Sequence, residues 1–445
     1  MRIVNPIGIP RSRRARRLGA VAIALGLTAA ACGSDDEATP ADSEAPAGTE
    51  APSDTEAAPD TEAPTDTEAP ADTEAPADTE APTDTEAPAA TDEPAGSDVP
   101  SDSAAPADGE PTLEAVDPER CQTNRDAGTI TYLSSFDFAA AASIVEVVLA
   151  DANGYFEDMC LDVELRPSFS TANYTLVGSN QAQFASAGGY TEVLNFTGEG
   201  AEFLITVDFG KSPINALITP EGGATELSEL EGSTIGVKGD LPPSLVALLA
   251  DAGLARGEDY DEVLLDGFDP QAHLATGIDA LPVYKSNEPG QLDAAGVGYT
   301  LFDPTEAGIP GTFGLLYTSA AFAAENPTVV EDFTRAALKG MEDAIADPEA
   351  AVAASIEQID AAGNQSFLTF DGELFRWNAE LAEIQASTPE GENIGVIDPA
   401  VFEEEYTSYV EAGVWPDGAP DDTKPYDETI AAGVYGDDGA VAWPN

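Results

Sequence analysis

A strand, a helix and a second strand follow one another from residue 129, and this pattern restricts the fold more than any other feature. Residues 129–133 read as a buried strand, residues 139–152 as an Ala-rich amphipathic helix, and residues 161–165 as an alternating strand. A helix between two strands makes a βαβ unit, which requires the two strands to be parallel. The sequence therefore predicts an α/β fold built on a parallel sheet.

The alternation of strands and helices continues along the chain. Further strands are predicted at residues 183–186, 203–207, 216–219, 234–237, 263–265, 280–284 and 313–318. Helices are predicted at residues 245–252, starting near Ser244, and then at 329–347, 348–361, 373–387 and 399–412. This much ordered chain is enough for two lobes, each with its own core.

The region before residue 112 has a different composition. A hexad, Asp-Thr-Glu-Ala-Pro-Thr/Ala, repeats in register from Asp60 to Ala89. A proline in every repeat and the lack of apolar periodicity prevent both a helix and a core. We predict an extended tether, which could reach on the order of 200 Å at ~3.1 Å per residue. An adhesive or glycosylated stalk, suggested by the threonines, is the alternative.

The N-terminus has the features of an export signal. Five arginines lie between Arg11 and Arg17, an apolar run covers residues 18–31, and Cys32 follows. The stretch Leu27-Thr28-Ala29-Ala30-Ala31-Cys32 resembles a bacterial lipobox. The resemblance implies a signal peptide over 1–31, cleavage before Cys32 and a diacylglycerol thioether on that cysteine, with the tether spanning 32–111. An ordinary secretory signal is the alternative; the apolar run is shorter than the ~20 residues needed to span a bilayer. The sequence leaves Sec and twin-arginine export both open.

The charge balance excludes some partners. The 445-residue chain has 17 Lys and Arg against 83 Asp and Glu, a net charge of −66. Nucleic acid and anionic lipid surfaces both require clustered basic residues, so neither is an expected partner. The charge does not decide the sign of a small ligand, because backbone N–H groups can bind an anion within an acidic protein.

Two cysteines remain if Cys32 carries a lipid. Cys121 lies shortly before the first predicted strand and Cys160 directly before the second. The starts of neighbouring parallel strands are close, and an exported protein meets an oxidising compartment. We predict a Cys121–Cys160 disulfide, which would stabilise the fold by about 4 kcal/mol on the chain-entropy estimate. Two separate buried thiols are the alternative.

Four stretches occur in an order that indicates a family. They are NGYFEDMCLDVEL (153–165), LSELEGSTIGVK (227–238), GIDA followed by YKSNEP (277–289), and ENPTVVEDF (325–333) with residues 344–351 after it. Together they resemble the solute-binding proteins of ABC importers, in the branch of pyrimidine-precursor (thiamine pyrimidine synthase-like), riboflavin and nitrate/sulfonate/taurine binders. The resemblance implies a two-lobed, type II-like periplasmic-binding-protein fold with a hinge. Lobe one would comprise residues 128–217 and 314–445, and lobe two residues 218–313.

The resemblance also implies a function. It predicts a lipid-anchored, monomeric binder on the outer face of the cell membrane that delivers a small nutrient to an ABC permease with its ATPase. It predicts no cofactor. An enzyme is disfavoured because the chain has one histidine, no cysteine cluster and no nucleotide-binding motif. A stalked adhesin remains an alternative.

Loops that directly follow strands are the places where such a cleft binds its ligand. The predicted contacts are Phe136, Asp137, Ser186, Gly188, Tyr190, Thr191, Asp208, Asp240, Ser244, Tyr284, Asn287 and Glu288. Aromatic rings beside carboxylates and an amide suit a flat heterocycle such as a thiamine pyrimidine precursor or a flavin. Lys211, Lys238 and Lys285 could instead bind a sulfonate, nitrate or taurine. Phe138 could be a contact or a core residue, Ser244 could be only a helix N-cap, and His273 is predicted to lie on the surface. We predict no metal site.

Overall fold

The computed structural model describes residues 116–197, 201–363 and 368–444. All of them belong to one compact unit, Ser101–Asn445. The predicted signal peptide, Cys32 and the tether lie outside the described residues, so the lipid anchor stays a prediction. Within the described ranges, no helix is long and apolar enough to cross a membrane.

Ten strands and fourteen α-helices are present in the described part of the chain. The strands are β1 Thr129–Leu133, β2 Asp162–Arg166, β3 Phe184–Ala187, β4 Phe203–Gly210, β5 Asn215–Pro220, β6 Thr234–Val237, β7 Asp261–Leu264, β8 Leu281–Tyr284, β9 Tyr299–Phe302 and β10 Phe313–Ser319. The helices are α1 Pro118–Asp126, α2 Val145–Ala152, α3 Tyr155–Asp158, α4 Ser170–Gly178, α5 Tyr190–Phe196, α6 Pro243–Asp251, α7 Pro270–Ala275, α8 Glu288–Ala295, α9 Ala320–Glu325, α10 Pro327–Ala346, α11 Pro348–Ala362, α12 Phe370–Ser387, α13 Pro399–Glu411 and α14 Glu428–Ala432. A short 3₁₀ helix, Leu227–Leu230, precedes β6.

The larger sheet has the strand order β2-β1-β3-β10-β4. β1 pairs in parallel with β2 and with β3, whereas β10 is antiparallel to both β3 and β4. Side chains alternate across this sheet: Leu316 packs with α2, α10 and α11 on one face, whereas Leu315 and Tyr317 pack with α4 and α5 on the other. Because helices cover both faces, the inner strands β1 and β3 are buried, whereas the edge strand β2 is partly exposed.

The second half of the chain repeats this arrangement with the strands β5 to β9. β8-β5-β9 form an antiparallel sheet, and β6 pairs in parallel with β7. A bridge between Ile235 and Ala280 places β6 beside the start of β8. The resulting order, β7-β6-β8-β5-β9, matches the larger sheet, with one antiparallel strand in the fourth position of each. The predicted lobe boundary at residue 217/218 falls inside β5, and the division of the chain into lobes stays a prediction.

A disulfide joins Cys121 to Cys160, as predicted. Cys121 lies in α1, and Cys160 precedes β2. The Arg120 guanidinium adds a two-pronged contact to Asp332 of α10, with both N–O distances at 2.7 Å. The N-terminal helix is therefore tied covalently to the edge of the larger sheet and electrostatically to its longest helix.

Several predictions about individual elements are corrected by the structure. The helix predicted over 139–152 begins only at Val145, because residues 139–144 form turns that direct their N–H groups elsewhere. Ser244 is not an N-cap: α6 begins at Pro243 and has Pro242 at the cap position. The prediction of a parallel sheet is only partly correct, since β5 and β10 run antiparallel to their neighbours. Strand β9 and helices α1, α3, α4, α8, α9 and α14 were not predicted as elements.

Candidate functional site

The loops after β1 and β2 form one edge of a candidate site. Parallel strands end at the same side of a sheet, and here backbone hydrogen bonds join the two loops. The Asp137 N–H donates to the Ser168 carbonyl (2.8 Å), and the Ser170 N–H donates to the Ser135 carbonyl (2.9 Å). This pairing places the half-buried ring of Phe136 against Phe169, edge to face, with 5.9 Å between ring centroids.

An aromatic ring from the second half of the chain meets this edge. Phe268 lies in the loop after β7, and its ring centroid is 6.3 Å from that of Phe136, again edge to face. Phe169 is 48% exposed and Phe268 is 53% exposed. Large apolar side chains that are half exposed and grouped mark a binding surface rather than a core. The three rings therefore form an aromatic cluster, Phe136/Phe169/Phe268, that joins the strand ends of both sheets.

Glu192 in α5 supplies a carboxylate beside the loop after β3. Its Oε2 accepts a hydrogen bond from the Gly188 N–H (2.9 Å), and a Cβ at position 188 would lie 2.5 Å from that oxygen, so glycine permits the contact. Its Oε1 has no hydrogen-bond partner among the described residues. Burial raises the pKa of Glu192, against the opposing effects of the Ser170 hydroxyl, the Gly188 N–H and the Tyr174 hydroxyl.

Tyr284 faces Glu192 from the end of β8. Burial around its hydroxyl raises the pKa of Tyr284 to about 12, and the negative charge of Glu192 is the next cause. Nearly half of the side chain is nonetheless exposed, so the ring is open while the hydroxyl is enclosed. The predicted contact Tyr284 therefore leaves ring surface exposed, with an acidic group close to its hydroxyl.

The other predicted polar residues of this loop make internal contacts. Glu288 is almost completely buried; it forms an ion pair with Lys238 and accepts the Tyr284 N–H (2.9 Å). The Asn287 Oδ1 accepts a hydrogen bond from the Arg376 guanidinium (3.1 Å). These residues hold the loops after β6 and β8 in place, and the Asn287 side chain is partly open to the site.

The three lysines proposed for an anion site are all engaged with acceptors. Lys238 pairs with Glu288, and Lys285 contacts Asp303 (3.1 Å) and Glu383 (2.9 Å). The Lys211 ammonium lies 3.5 Å from the Asp208 carbonyl oxygen. An incoming anion would have to compete with these partners for each charge.

Six residues singled out by sequence lie in the interior. Ser186, Tyr190, Thr191, Asp208, Ser244 and Phe138 are all buried. Tyr190 stacks on Phe402 with 4.3 Å between centroids, and Thr191 bonds to Glu405 through both its N–H and its hydroxyl. Ser186 lies within β3, and Phe138 belongs to a core cluster beneath α2. Asp208, predicted to follow a strand, lies within β4, which extends to Gly210. All six side chains are enclosed by the core and are not exposed at a cleft.

Asp208 is the most unusual of the buried residues. Neither of its carboxylate oxygens has a hydrogen-bond partner in the described ranges. Burial raises its pKa to about 8; the charge of Lys211 opposes this rise, whereas Glu405 and Asp398 add to it. Asp208 is therefore a mostly protonated interior group near neutral pH and not an exposed ligand contact.

The exposure of two further residues, Asp240 and His273, differs from the prediction. The side chain of Asp240 is 98% exposed, with one long contact of 3.7 Å to Arg256. The prediction that His273 lies on the surface is wrong: it is buried, and its Nε2 lies 3.0 Å from the Asp266 carbonyl oxygen. No group of three or more His, Cys, Asp or Glu residues in the described part of the chain could hold a metal ion.

Sequence reasoning missed three residues of the site. Phe169 follows β2 and Phe268 follows β7, so the rule that led to Phe136 would also have selected them. Phe268 stands in Gly267-Phe268-Asp269-Pro270, where Asp269 caps α7 and directs the preceding residue outward. Glu192 carried no such signal, because it reads as an ordinary residue in the first turn of a helix.

Residues 141–351 match the family model described as NMT1/THI5 like. This segment, a little under half of the chain, is similar to that family. It contains every strand of the smaller sheet and all strands of the larger sheet except β1, and it includes the stretches quoted above for the resemblance.

Two relatives and one solved structure add to this match. The chain is 33% identical over 136 residues to a riboflavin-binding protein, RibY, of Chloroflexus aurantiacus, covering 30% of this chain and 38% of that protein. It is 28% identical over 242 residues to a formylaminopyrimidine-binding protein of Halalkalibacterium halodurans, covering 52% and 72%. The periplasmic nitrate-binding protein NrtA of Synechocystis has a similar fold, with a TM-score of 0.50 and 13% identity over 68% of this chain and 87% of that one. The chain thus has the periplasmic-binding-protein fold.

Proposed function

We propose that this protein is the extracytoplasmic solute-binding component of an ABC importer, and that it captures a flat heterocyclic nutrient between its two sheets. The observation that carries this proposal is the contact between Phe136 and Phe268, two partly exposed rings that come from different sheets and lie 6.3 Å apart. A ligand held by both rings would contact both halves of the molecule at once, as delivery by closure and opening requires.

The exposed rings favour an aromatic ligand. Phe136, Phe169, Phe268 and Tyr284 all leave ring surface open at the strand ends. Stacking and edge-to-face contacts of this kind contribute about 0.5–1.5 kcal/mol per pair beyond the burial of area. A pyrimidine or an isoalloxazine offers flat faces to such rings, whereas taurine and nitrate do not.

The polar groups favour a ligand that donates hydrogen bonds. The Glu192 carboxylate lies beside the loop after β3, and its Oε2 already occupies the Gly188 N–H that an anion would need. Exocyclic amino groups and ring N–H groups are donors that a carboxylate accepts well. Together with the paired lysines, this arrangement disfavours a sulfonate or nitrate.

The names of the two relatives support the same ligand class, since one binds riboflavin and the other formylaminopyrimidine. We extend the proposal to the rest of the chain: a signal peptide over 1–31, a lipid on Cys32, a tether over 32–111, lobes at 128–217 with 314–445 and at 218–313, and a monomer that serves a permease. It includes no enzymatic activity. The Cys121–Cys160 disulfide supports an oxidising, exported location.

A ligand panel tests the proposal. Residues 33–445 would be titrated with riboflavin, a formylaminopyrimidine, taurine, nitrate and an alkanesulfonate, and thermal unfolding would be recorded with each. A ligand at 100 times its Kd stabilises the folded state by about 2.7 kcal/mol, which is readily measured. We expect a shift with a heterocycle alone. A shift with taurine, nitrate or the sulfonate alone would contradict the heterocyclic ligand and indicate an anion binder. The absence of any shift would contradict the importer assignment and favour the alternative of a stalked adhesin.

A further inference from the structure

A stripe of polar residues runs along one face of α12 between the two sheets. Its members are spaced three or four residues apart and therefore lie on one side of the helix: Glu373, Arg376, Glu380, Glu383 and Ser387. Their partners come from both halves of the chain. The Ser387 hydroxyl accepts the Lys211 N–H, and Glu383 accepts the Ser212 hydroxyl, both in the segment that connects β4 to β5.

Glu380 joins two loops of the candidate site through one carboxyl group. Its Oε2 accepts the Ala142 N–H (2.6 Å), in the segment that follows Phe136. Its Oε1 accepts the Ser286 hydroxyl (2.9 Å), two residues beyond Tyr284. Ala142 lies in the segment after β1 of the larger sheet, and Ser286 follows β8 of the smaller sheet. Glu380 therefore links a loop of one sheet to a loop of the other.

Neighbouring residues of the stripe hold the same two loops separately. The Glu373 Oε2 accepts the Ala140 N–H (2.8 Å), and Arg376 donates to Asn287 (3.1 Å). Arg376 also bonds to Glu373 through Nε (3.2 Å). These contacts need two side chains to connect the loops, whereas Glu380 does so alone. Of Glu373, Arg376 and Glu380, only Glu380 therefore contacts both loops.

We propose that Glu380 is a positioning residue of the binding site, and that its proton occupancy sets how firmly the loops after β1 and β8 are held together. The proposal rests on the proposed function for its ligand-binding consequence, but the loop contacts themselves do not depend on any ligand. It predicts that the ligand binds more tightly as the pH falls.

The surroundings of Glu380 make this proton occupancy variable near neutral pH. Burial raises its pKa to about 7, against the lowering effects of the Ala142 N–H, the Arg376 charge and the Ser286 hydroxyl, and the charge of Glu373 adds to the rise. From the other elements, Glu146 of α2 and Tyr284 at the end of β8 face it; the charge of Glu380 raises the pKa of each.

Movement of the smaller sheet would change this environment. Any displacement that carries Ser286 away from Glu380 removes a hydrogen bond that lowers the pKa, but it also admits water to the carboxyl group. Because burial is the largest cause of the raised pKa, the pKa moves toward the ordinary value of 4.5. The arrangement with both loops held therefore binds the proton more tightly than the separated one. This advantage is complete below the lower pKa and is lost as the pH rises through about 7. Between pH 8 and pH 6 the linkage predicts roughly tenfold tighter ligand binding.

Glu380→Gln provides the test, because glutamine has the shape of the protonated acid and cannot ionise. In residues 33–445, amide hydrogen exchange at residues 139–142 would be measured without ligand at pH 6 and pH 8. The ratio of wild-type to variant rates at each pH removes the intrinsic pH dependence of exchange. We expect this ratio to rise at least threefold from pH 6 to pH 8. A constant ratio would overturn the proposal.

Riboflavin titration, followed by its own fluorescence, supplies the second measurement. The wild type should bind about tenfold more tightly at pH 6 than at pH 8, and Glu380→Gln should bind equally at both. Glu357→Gln, exposed on α11, should keep the wild-type pH dependence. A failure to bind riboflavin at either pH would count against the proposed ligand, whereas the exchange ratio decides the role of Glu380 independently.

Discussion

The two edges of the candidate site are held in place by different kinds of interaction. Backbone hydrogen bonds join the loops after β1 and β2, and a disulfide fixes the start of β2. The loops after β6 and β8 depend instead on side chains, above all the Lys238–Glu288 ion pair. Backbone ladders tolerate little displacement, whereas a side-chain pair can swing as a unit. The comparison suggests that the larger sheet provides a fixed edge and the smaller sheet an adjustable one.

The fixed edge should show the largest loss of stability when it is broken. The double change Cys121→Ser with Cys160→Ser should lower the free energy of unfolding by about 4 kcal/mol on the chain-entropy estimate. Urea unfolding of both proteins measures this difference. Ligand affinity should change less than twofold, because neither cysteine belongs to the site. A loss below about 1 kcal/mol would show that the backbone pairing alone fixes this edge.

The adjustable edge should respond to the loss of its ion pair. Lys238→Met would leave the buried Glu288 carboxylate without its charged partner, and we expect a loss of about 2 kcal/mol, toward the low end for buried pairs because Lys238 is partly exposed. Thermal unfolding measures it. Lys339→Met is the matched control: Lys339 is as accessible as Lys238, but its partner Glu342 is partly exposed, so this pair should contribute less than about 0.5 kcal/mol. Equal effects of the two changes would remove the special role of Lys238.

The contact between the edges should govern binding rather than folding. Phe268→Ala should weaken riboflavin binding by about 10- to 30-fold, or about 1.5–2 kcal/mol, because it removes a ring that can stack on the ligand. Isothermal titration measures the affinity. Phe370→Ala, which removes a similarly exposed ring on α12, should leave it unchanged. If both variants bind like the wild type, the aromatic cluster is not the ligand site.

The smallest effect is expected at Asp240, which the sequence placed in the site. Its side chain is 98% exposed, so Asp240→Asn should change stability by less than about 0.5 kcal/mol. We expect ligand affinity to change less than threefold in the same titration. A loss of tenfold or more would mean that the loop after β6 reaches the ligand, and that the adjustable edge moves farther than the contacts described here.

The sequence predicted the strands well because most are short, buried apolar runs between turn residues, as in β1 and β10. It could not show which of them run antiparallel, since β5 and β10 have the same apolar pattern as parallel strands.

The site was only partly accessible from the sequence for a related reason. The rule that ligands lie after strands correctly selected Phe136 and Tyr284, both of which retain open ring surface. It also selected Tyr190 and Thr191, which pack against α13. Position after a strand determines the end of the sheet but not the direction of each side chain. That direction depends on α12 and α13, which come from distant parts of the chain. Glu405 of α13, for example, bonds to Thr191 across a separation of 214 residues.

The attachment of α1 has a mechanical consequence. A pulling force that reaches the described chain at Val116 passes at once into α1, where Cys121 and Arg120 transfer it to the start of β2 and to α10. These points lie at the edge of the larger sheet, at the ends of β1 and β2 opposite to Phe136. Tension on the N-terminus would therefore be borne by a covalent bond and the longest helix, and the two rings that meet between the sheets would remain unloaded.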